Sequence, residues 1–294
     1  MEYKSAIIGA GAMGVANIDE KFPFKYSHLE VILDNPQTSL KAIVDSDEEK
    51  AKKAGERFNV PHFTDWREML DAIKPDIVHV VAGPSVNVEF LKHVLPNNVV
   101  KGVYCDKPLT TDLATADELA ELETQSQVKV NVNYLRNFDI CHRAIMEQVR
   151  NGKIGKLQGV QALYNGGVLA VLSHMPALFS HLFDKPIKVS GVYSPIKNIN
   201  SETDPNVNGT ITYSLESQNR NVDVQILATG RGKEENNIYH WEQKIVGSEG
   251  IIDIKENGWT TEFSEMRLSR IFPSVGTNHS YHTSYVPPEF KADE

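Results

Sequence analysis

Cysteine is scarce: Cys105 and Cys141 are the only two in 294 residues. That is too few for a disulfide framework or a cysteine-based metal site. Reduced thiols in a cytoplasmic protein are the simplest expectation. Basic charge is also in deficit, with 30 Lys and Arg against 39 Asp and Glu and a formal net charge of −9. A nucleic-acid partner needs a basic face, so none is expected. No apolar run reaches the ~18 residues of a membrane helix, so no membrane association is expected. Met1-Glu2-Tyr3-Lys4 leads straight into an apolar run, without a leader pattern. With 40% hydrophobic and 23% charged residues, disorder is excluded too. What remains is a globular chain, long enough for two domains of about 150 residues each and for a core that needs no staples.

The order of elements is informative. Apolar runs at 4–8, 40–44, 77–81, 102–104 and 128–132 read as strands. Between them lie helical patterns at about 12–20, 47–58, 65–73, 86–95 (stopped by Pro96) and 114–125. Nearly continuous apolar strands alternating with helices imply a parallel sheet covered on both faces. Right-handed crossovers make it doubly wound. After residue 150 the pattern changes to alternating segments at 157–164, 188–193, 209–215, 222–228, 241–246 and 251–254, with one helical stretch at 170–183. Alternation fits an open, mainly antiparallel sheet with one solvated face. The expected class is α/β: a doubly wound Rossmann sheet over 1–125, then an α+β domain with an open sheet over 126–294. The boundary falls near 120–135, with a bridging helix after Asp139.

Four features carry chemistry. Gly9-Ala10-Gly11-Ala12-Met13-Gly14 follows a strand and opens a helix, the context that gives a glycine fingerprint its meaning. Gly9 suits the tight turn, Gly11 a close approach by pyrophosphate, and Gly14 close helix–strand packing. Backbone N–H groups from Gly11, Ala12 and Met13 would face the phosphates. Asp45 ends the second strand, where a carboxylate accepts ribose hydroxyls and repels a 2′-phosphate, favouring NAD over NADP. It lies 31 residues after Gly14 rather than ~20; an insertion at Phe22–Ser27 accounts for the excess. The alternative for Asp45 is a helix N-cap. Asp106-Lys107-Pro108 sits at a strand end, facing the ligand crevice of such sheets. Lys107 could hold a reacting oxygen or relay a proton, or be an ordinary loop lysine. The Lys107–Pro108 bond is of the type that allows a cis peptide. His174 could act as a general base or simply pack. His181 lies seven residues on, but with no acidic or cysteine partner no metal is expected.

Together these residues resemble the Gfo/Idh/MocA oxidoreductases, named for glucose–fructose oxidoreductase and inositol dehydrogenase. The likeness covers most of the chain. It includes Gly83-Pro84 after the third strand and Asp106-Lys107-Pro108 in place of the family's Glu-Lys-Pro. Asn133-Tyr134-Leu135-Arg136-Asn137-Phe138 and the turns at 152–155 and 247–250 also match. The resemblance implies hydride transfer between NAD(P) and a carbinol or carbonyl carbon of a sugar, polyol or sugar derivative. It implies Lys107 and His174 as catalytic residues and a homo-oligomer formed through the C-terminal sheet. Gly83, Pro84, Asp106 and Lys107 itself join the cofactor set. The substrate would be read by Arg136, Asn137, Tyr164, Asn165, Arg231 and Tyr239, with Asn236 and His240 as further candidates. Gly230-Arg231-Gly232-Lys233 would grip a phosphate or carboxylate, or form an exposed turn.

Three positions depart from the family. Ala170 and Ala177 stand where it has carboxylates four before and three after the histidine, and Asn87 or Val88 replaces a histidine in the loop after the third strand. The surroundings of His174 are apolar (Val168, Leu169, Val171, Leu172, Met175), whereas a site that reads hydroxyls needs paired polar groups. Two alternatives follow: a reductase of imines or less polar ketones, and a non-catalytic dinucleotide-binding regulator. The polar, proline-containing stretch from Val286 to Glu294 stands where relatives have further helices, so a trimmed second domain is expected.

Overall fold

The computed structural model describes residues 2–16, 27–198, 201, 203–229, 240–258, 260–268 and 276–281. The chain divides into two compact units, Met1–Asn133 and Tyr134–Glu294.

The first unit is built on six strands: β1 (Tyr3–Ile8), β2 (Thr38–Val44), β3 (His62–Phe63), β4 (Ile77–Val80), β5 (Gly102–Asp106) and β6 (Lys129–Asn133). All pairings are parallel, in the order β3-β2-β1-β4-β5-β6. The order reverses between β1 and β4, and ligands of open α/β sheets bind outside the strand ends at that switch point. Alternation along β1 explains the burial on both faces. Ile7 belongs to a cluster with Leu29, Ile32 and Ile43, while Ala6 and Ile8 face a second cluster with Val78, Phe90 and Leu91. β6 pairs with β5 and so belongs to the first sheet, which a division at 125/126 would have split.

The covering helices are α1 (His28–Asp34), α2 (Glu48–Phe58), α3 (Trp66–Ile73), α4 (Pro84–Asn97) and α5 (Leu113–Gln125). Asp47, Asp65 and Asp112 cap α2, α3 and α5 by accepting backbone N–H groups of the first turn. α1 was not foreseen. Ser27 and Glu30 form a reciprocal capping box that starts it. The helix expected over 12–20 is a wide helical turn at Ala12–Ala16, and 17–26, including most of the expected insertion, lies outside the described residues. α4 runs through Pro96 to Asn97, rather than ending before the proline, and closes at Asn98 in the left-handed conformation.

The second unit begins with α6 (Ile140–Arg150), capped by Asp139. An eight-stranded sheet follows: β7 (Leu157–Asn165), β8 (Pro186–Tyr193), β9 (Val207–Leu215), β10 (Arg220–Ala228), β11 (His240–Gly247), β12 (Gly250–Lys255), β13 (Thr260–Leu268) and β14 (Gly276–Tyr281). The order is β14-β13-β12-β11-β7-β10-β9-β8, antiparallel except for a parallel β7–β10 pair. β13 and β14 extend the sheet beyond the six expected strands. Val160, Ala162, Tyr164, Trp241 and Ile245 form the inner face, packed with Ile145, Met146 and Val149 of α6 and with Leu178 and Phe179 of α7 (His174–Phe179).

Candidate functional site

The glycine turn is a steric fit. Gly9 has φ +107°, and its amide donates to Val44 O at 2.8 Å, linking the turn to β2. A Cβ on Gly14 would stand 1.9 Å from Gly9 O, so this position tolerates no side chain. A Cβ on Gly11 would meet nothing within 4 Å. The turn is therefore closed towards the protein at Gly14 and open at Gly11, as the approach of a pyrophosphate requires. Beyond it lies a cleft of about 280 Å³ lined by Gly9, Asp45, Ser46, Trp66, Arg67 and Ala82, among others.

Asp45 stands in this cleft. Its Oδ2 accepts Ala10 N–H at 2.8 Å and its Oδ1 accepts Asp47 N–H at 3.0 Å. The cap of α2 is Asp47, so Asp45 is not a helix cap. Two backbone bonds fix its plane, and each carboxylate oxygen keeps lone-pair capacity for a ribose hydroxyl. The residues present thus fit the adenosine half of a dinucleotide. After β4, Gly83 takes φ +96° and Pro84 occupies the first turn of α4, where a missing N–H costs nothing.

Lys107 follows β5 directly, half-buried, and its bond to Pro108 is cis. The brace of this loop is Asn87, which sequence reasoning noted only as a departure. Its side chain is 1% exposed and its Nδ2 donates to Asp106 O at 2.9 Å and Pro108 O at 3.1 Å. The carbonyls on either side of Lys107 are thereby held by one amide. Nothing in the local pattern announces this, because Asn87 reads as one more residue of an amphipathic helix.

A buried polar cluster was also missed. His28 of α1 and His79 of β4 approach Nδ1 to Nδ1 at 3.1 Å, and His28 Nε2 lies 3.3 Å from Asn133 Nδ2. Tyr104 OH donates to Asn133 Oδ1 at 2.9 Å. Burial, with His28 beside it, pushes the His79 pKa down to about 3. Burial also lowers that of His28, with Asp106 opposing. At neutral pH the two rings are neutral and share one hydrogen bond.

In the second unit His174 opens α7, 5% exposed, its ring edge-on to Tyr134 at 5.5 Å. The wide helical turn before it, Val168–Leu172, is anchored by Asp204, whose carboxylate accepts Leu169 N–H at 2.8 Å and Ala170 N–H at 2.9 Å. Val171, Leu172 and Met175 lie in the core. At these three positions the apolar character is therefore a packing requirement, not a description of the ligand.

Arg136 lies with its guanidinium 4.1 Å from the Trp241 ring, and burial lowers its pKa to about 10 against the pull of Asp139. Asn137 lies in the same short turn, Leu135–Asn137. Tyr164 is corrected from a substrate contact to a core pin. It is 0% exposed, and its hydroxyl donates to Val207 O at 3.0 Å and accepts Val207 N–H at 2.6 Å, tying β7 to β9. Asn165 Oδ1 accepts from Asn206 at 3.2 Å. His240 is buried, bonded to the Thr229 hydroxyl and 3.2 Å from Glu242. Arg231, Asn236 and Tyr239 lie outside the described residues. Burial, with Arg150 and Arg143, lowers the His181 pKa.

Residues 3–134 match the sequence model of the Gfo/Idh/MocA oxidoreductases, the oxidoreductase family with an NAD-binding Rossmann fold. The match runs along nearly the whole of the first unit. Among curated proteins, inositol 2-dehydrogenase of Corynebacterium glutamicum is 29% identical over 164 residues, 54% of this chain and 44% of the relative. The chain spans less than half the length of the curated relatives it matches. An NAD-binding protein from Listeria innocua superposes with TM-score 0.72 and 18% identity, covering 98% of this chain and 84% of that one. A myo-inositol dehydrogenase from C. glutamicum gives 0.67 and 18%, covering 87% and 76%. At these identities the solved structures show the fold alone, including the sheet of the second unit.

Proposed function

We propose that the chain is an NAD-dependent dehydrogenase acting on a hydroxyl-bearing carbon of a sugar, polyol or related small molecule. The observation that carries this reading is Lys107, placed at the C-terminal end of β5 by a buried amide that holds both flanking carbonyls. Bound NAD would supply the hydride acceptor. The chain's own residues would do the rest. The Lys107 ammonium stabilises negative charge on the reacting oxygen, which a fixed cation does without reorganisation. His174 accepts the hydroxyl proton, a step suited to an imidazole near neutral pH. Asp45 reads the ribose and disfavours a 2′-phosphate, so NAD is the cofactor rather than NADP. The inositol dehydrogenase relatives put cyclitols first among substrates to try.

The reading of a less polar substrate rested on Ala170 and Ala177 and on the apolar residues around His174. Burial of Val171, Leu172 and Met175 in the core removes the second motive in part, and the two alanines, outside the core, remain the first. We also propose a homo-oligomer formed through the second sheet. Edge strand β8 supports it by exposing Val189 and Tyr193 on one face and Val192 on the other, by 68–78%, apolar side chains of the kind that mark an interaction surface when they cluster. Sedimentation of the wild type and of Val189→Glu tests it: a monomeric wild type would refute it.

The test of function is NADH binding by fluorescence, then NADH formation from NAD⁺ over cyclitols, hexoses and nucleotide sugars. Binding with turnover on one class supports the proposal. Binding with no turnover on any class favours the regulator, and absence of NADH binding overturns both.

A further inference from the structure

Among the described residues, the adenosine cleft carries one cation. Arg67 lines it together with Asp45 and Trp66, its guanidinium carbon over the indole, 4.0 Å from the ring centre. Trp66 itself is 6% exposed and wedged edge-on against Phe90 and His93, so the platform under the guanidinium is fixed. An arginine at this place is the residue that grips a 2′-phosphate, because its planar fork matches phosphate oxygens. Here the fork is already engaged. Arg67 Nη2 donates to Glu89 Oε1 at 2.5 Å and Nη1 to Asp65 Oδ1 at 3.5 Å. Glu89 comes from α4 and Asp65 from the cap of α3, so two elements converge on one guanidinium.

We infer that Glu89 is a second determinant of cofactor choice, acting by occupying Arg67. This rests on reading the cleft as the adenosine site. Asp45 repels a 2′-phosphate directly. Glu89 removes the one group lining the cleft, among the described residues, that could attract it. The cleft then presents Asp45 and Asp65 beside an arginine that Glu89 already neutralises. Discrimination is divided between a residue that reads the ribose and one that acts through Arg67.

The test is a set of variants read by the ratio of NADPH to NADH dissociation constants, from protein fluorescence at fixed low salt. Asp45→Ser is made first, to bring NADPH into measurable range. Adding Glu89→Gln should then tighten NADPH by about five-fold relative to Asp45→Ser alone, the upper end for release of a solvent-exposed pair. Adding Arg67→Ala to that double variant should cancel the gain. Raising the salt should shrink it, because the interaction is between exposed charges. An unchanged ratio on adding Glu89→Gln overturns the inference, and so does a gain that survives Arg67→Ala. Glu89→Gln in the wild-type background, checked by circular dichroism, guards against a folding artefact of the Asp45 change. Failure of the wild type to bind NADH would instead refute the adenosine-site reading itself.

Discussion

Replacing Asn87 with alanine tests the link between local packing and catalysis. The change removes the only side-chain bonds to Asp106 O and Pro108 O among the described residues. Both acceptors are half-buried, so water can partly replace the lost donor. The low end of the range for an unsatisfied group applies, about 1 kcal/mol each. Asn87 itself is fully enclosed, and the small void adds to that, for about 2–3 kcal/mol in all. For a unit of this size the thermal midpoint should fall by roughly 5–10 °C. The consequence for Lys107 is separate. If its loop shifts by about 1 Å, the rate falls by up to about a hundred-fold. NADH affinity, set mostly at the glycine turn and Asp45, should change by less than about three-fold, a modest change beside the loss in rate. The assay is a thermal melt, an NADH titration and kcat on the same preparation. A melt within a degree of wild type would refute the claim that these bonds carry stability. A full loss of stability with kcat intact would refute the claim that they position the lysine.

Three further predictions concern other parts of the chain. Gly11→Ala should fold with near wild-type stability but bind NADH more weakly, since its Cβ meets only open space where a phosphate would approach; Gly14→Ala should fail to fold or lose several kcal/mol, since its Cβ meets Gly9 O. Equal stability of the two variants in urea would contradict this. His79 has its pKa lowered in the folded chain, to about 3. The unfolded chain therefore binds more protons below about pH 6.5, and stability present above that pH is lost as pH falls towards 3, by up to about 1.4 kcal/mol per pH unit. Urea midpoints at pH 7, 6, 5 and 4 should drop less steeply for His79→Gln, and parallel curves would count against the buried pair. Asp204→Ala should weaken turnover through the segment bearing His174, because Leu169 and Ala170 lose their acceptor. A kcat equal to wild type would show that this anchor does not matter to the reaction.

The first unit was largely legible because its signals are local. Strand, glycine turn and Asp45 occur in sequence order, and the aspartates at 47, 65 and 112 each stand one residue before a helix. What escaped was set by distance or direction. Ser27 and Glu30 formed a readable capping box, but it followed Phe22-Pro23-Phe24, which reads as a loop. Pro96 sits in the last turn of α4, where its missing N–H costs the helix one bond and not its continuation. The parallel β7–β10 pair cannot be seen in alternation, which is the same for both directions. Tyr164 looks like a polar reader in the sequence; only the strand register shows its hydroxyl spent on Val207. Asn87 bonds 19 and 21 residues away, beyond any window that periodicity samples.

The most direct measurement of the central claim is NADH formation by wild type and Lys107→Ala on a cyclitol panel, with NADH affinity measured for both. The account predicts that both bind NADH within a few-fold of each other and that only the wild type turns over. A Lys107→Ala protein that turns over at the wild-type rate, or a wild type that does not bind NADH, would contradict it.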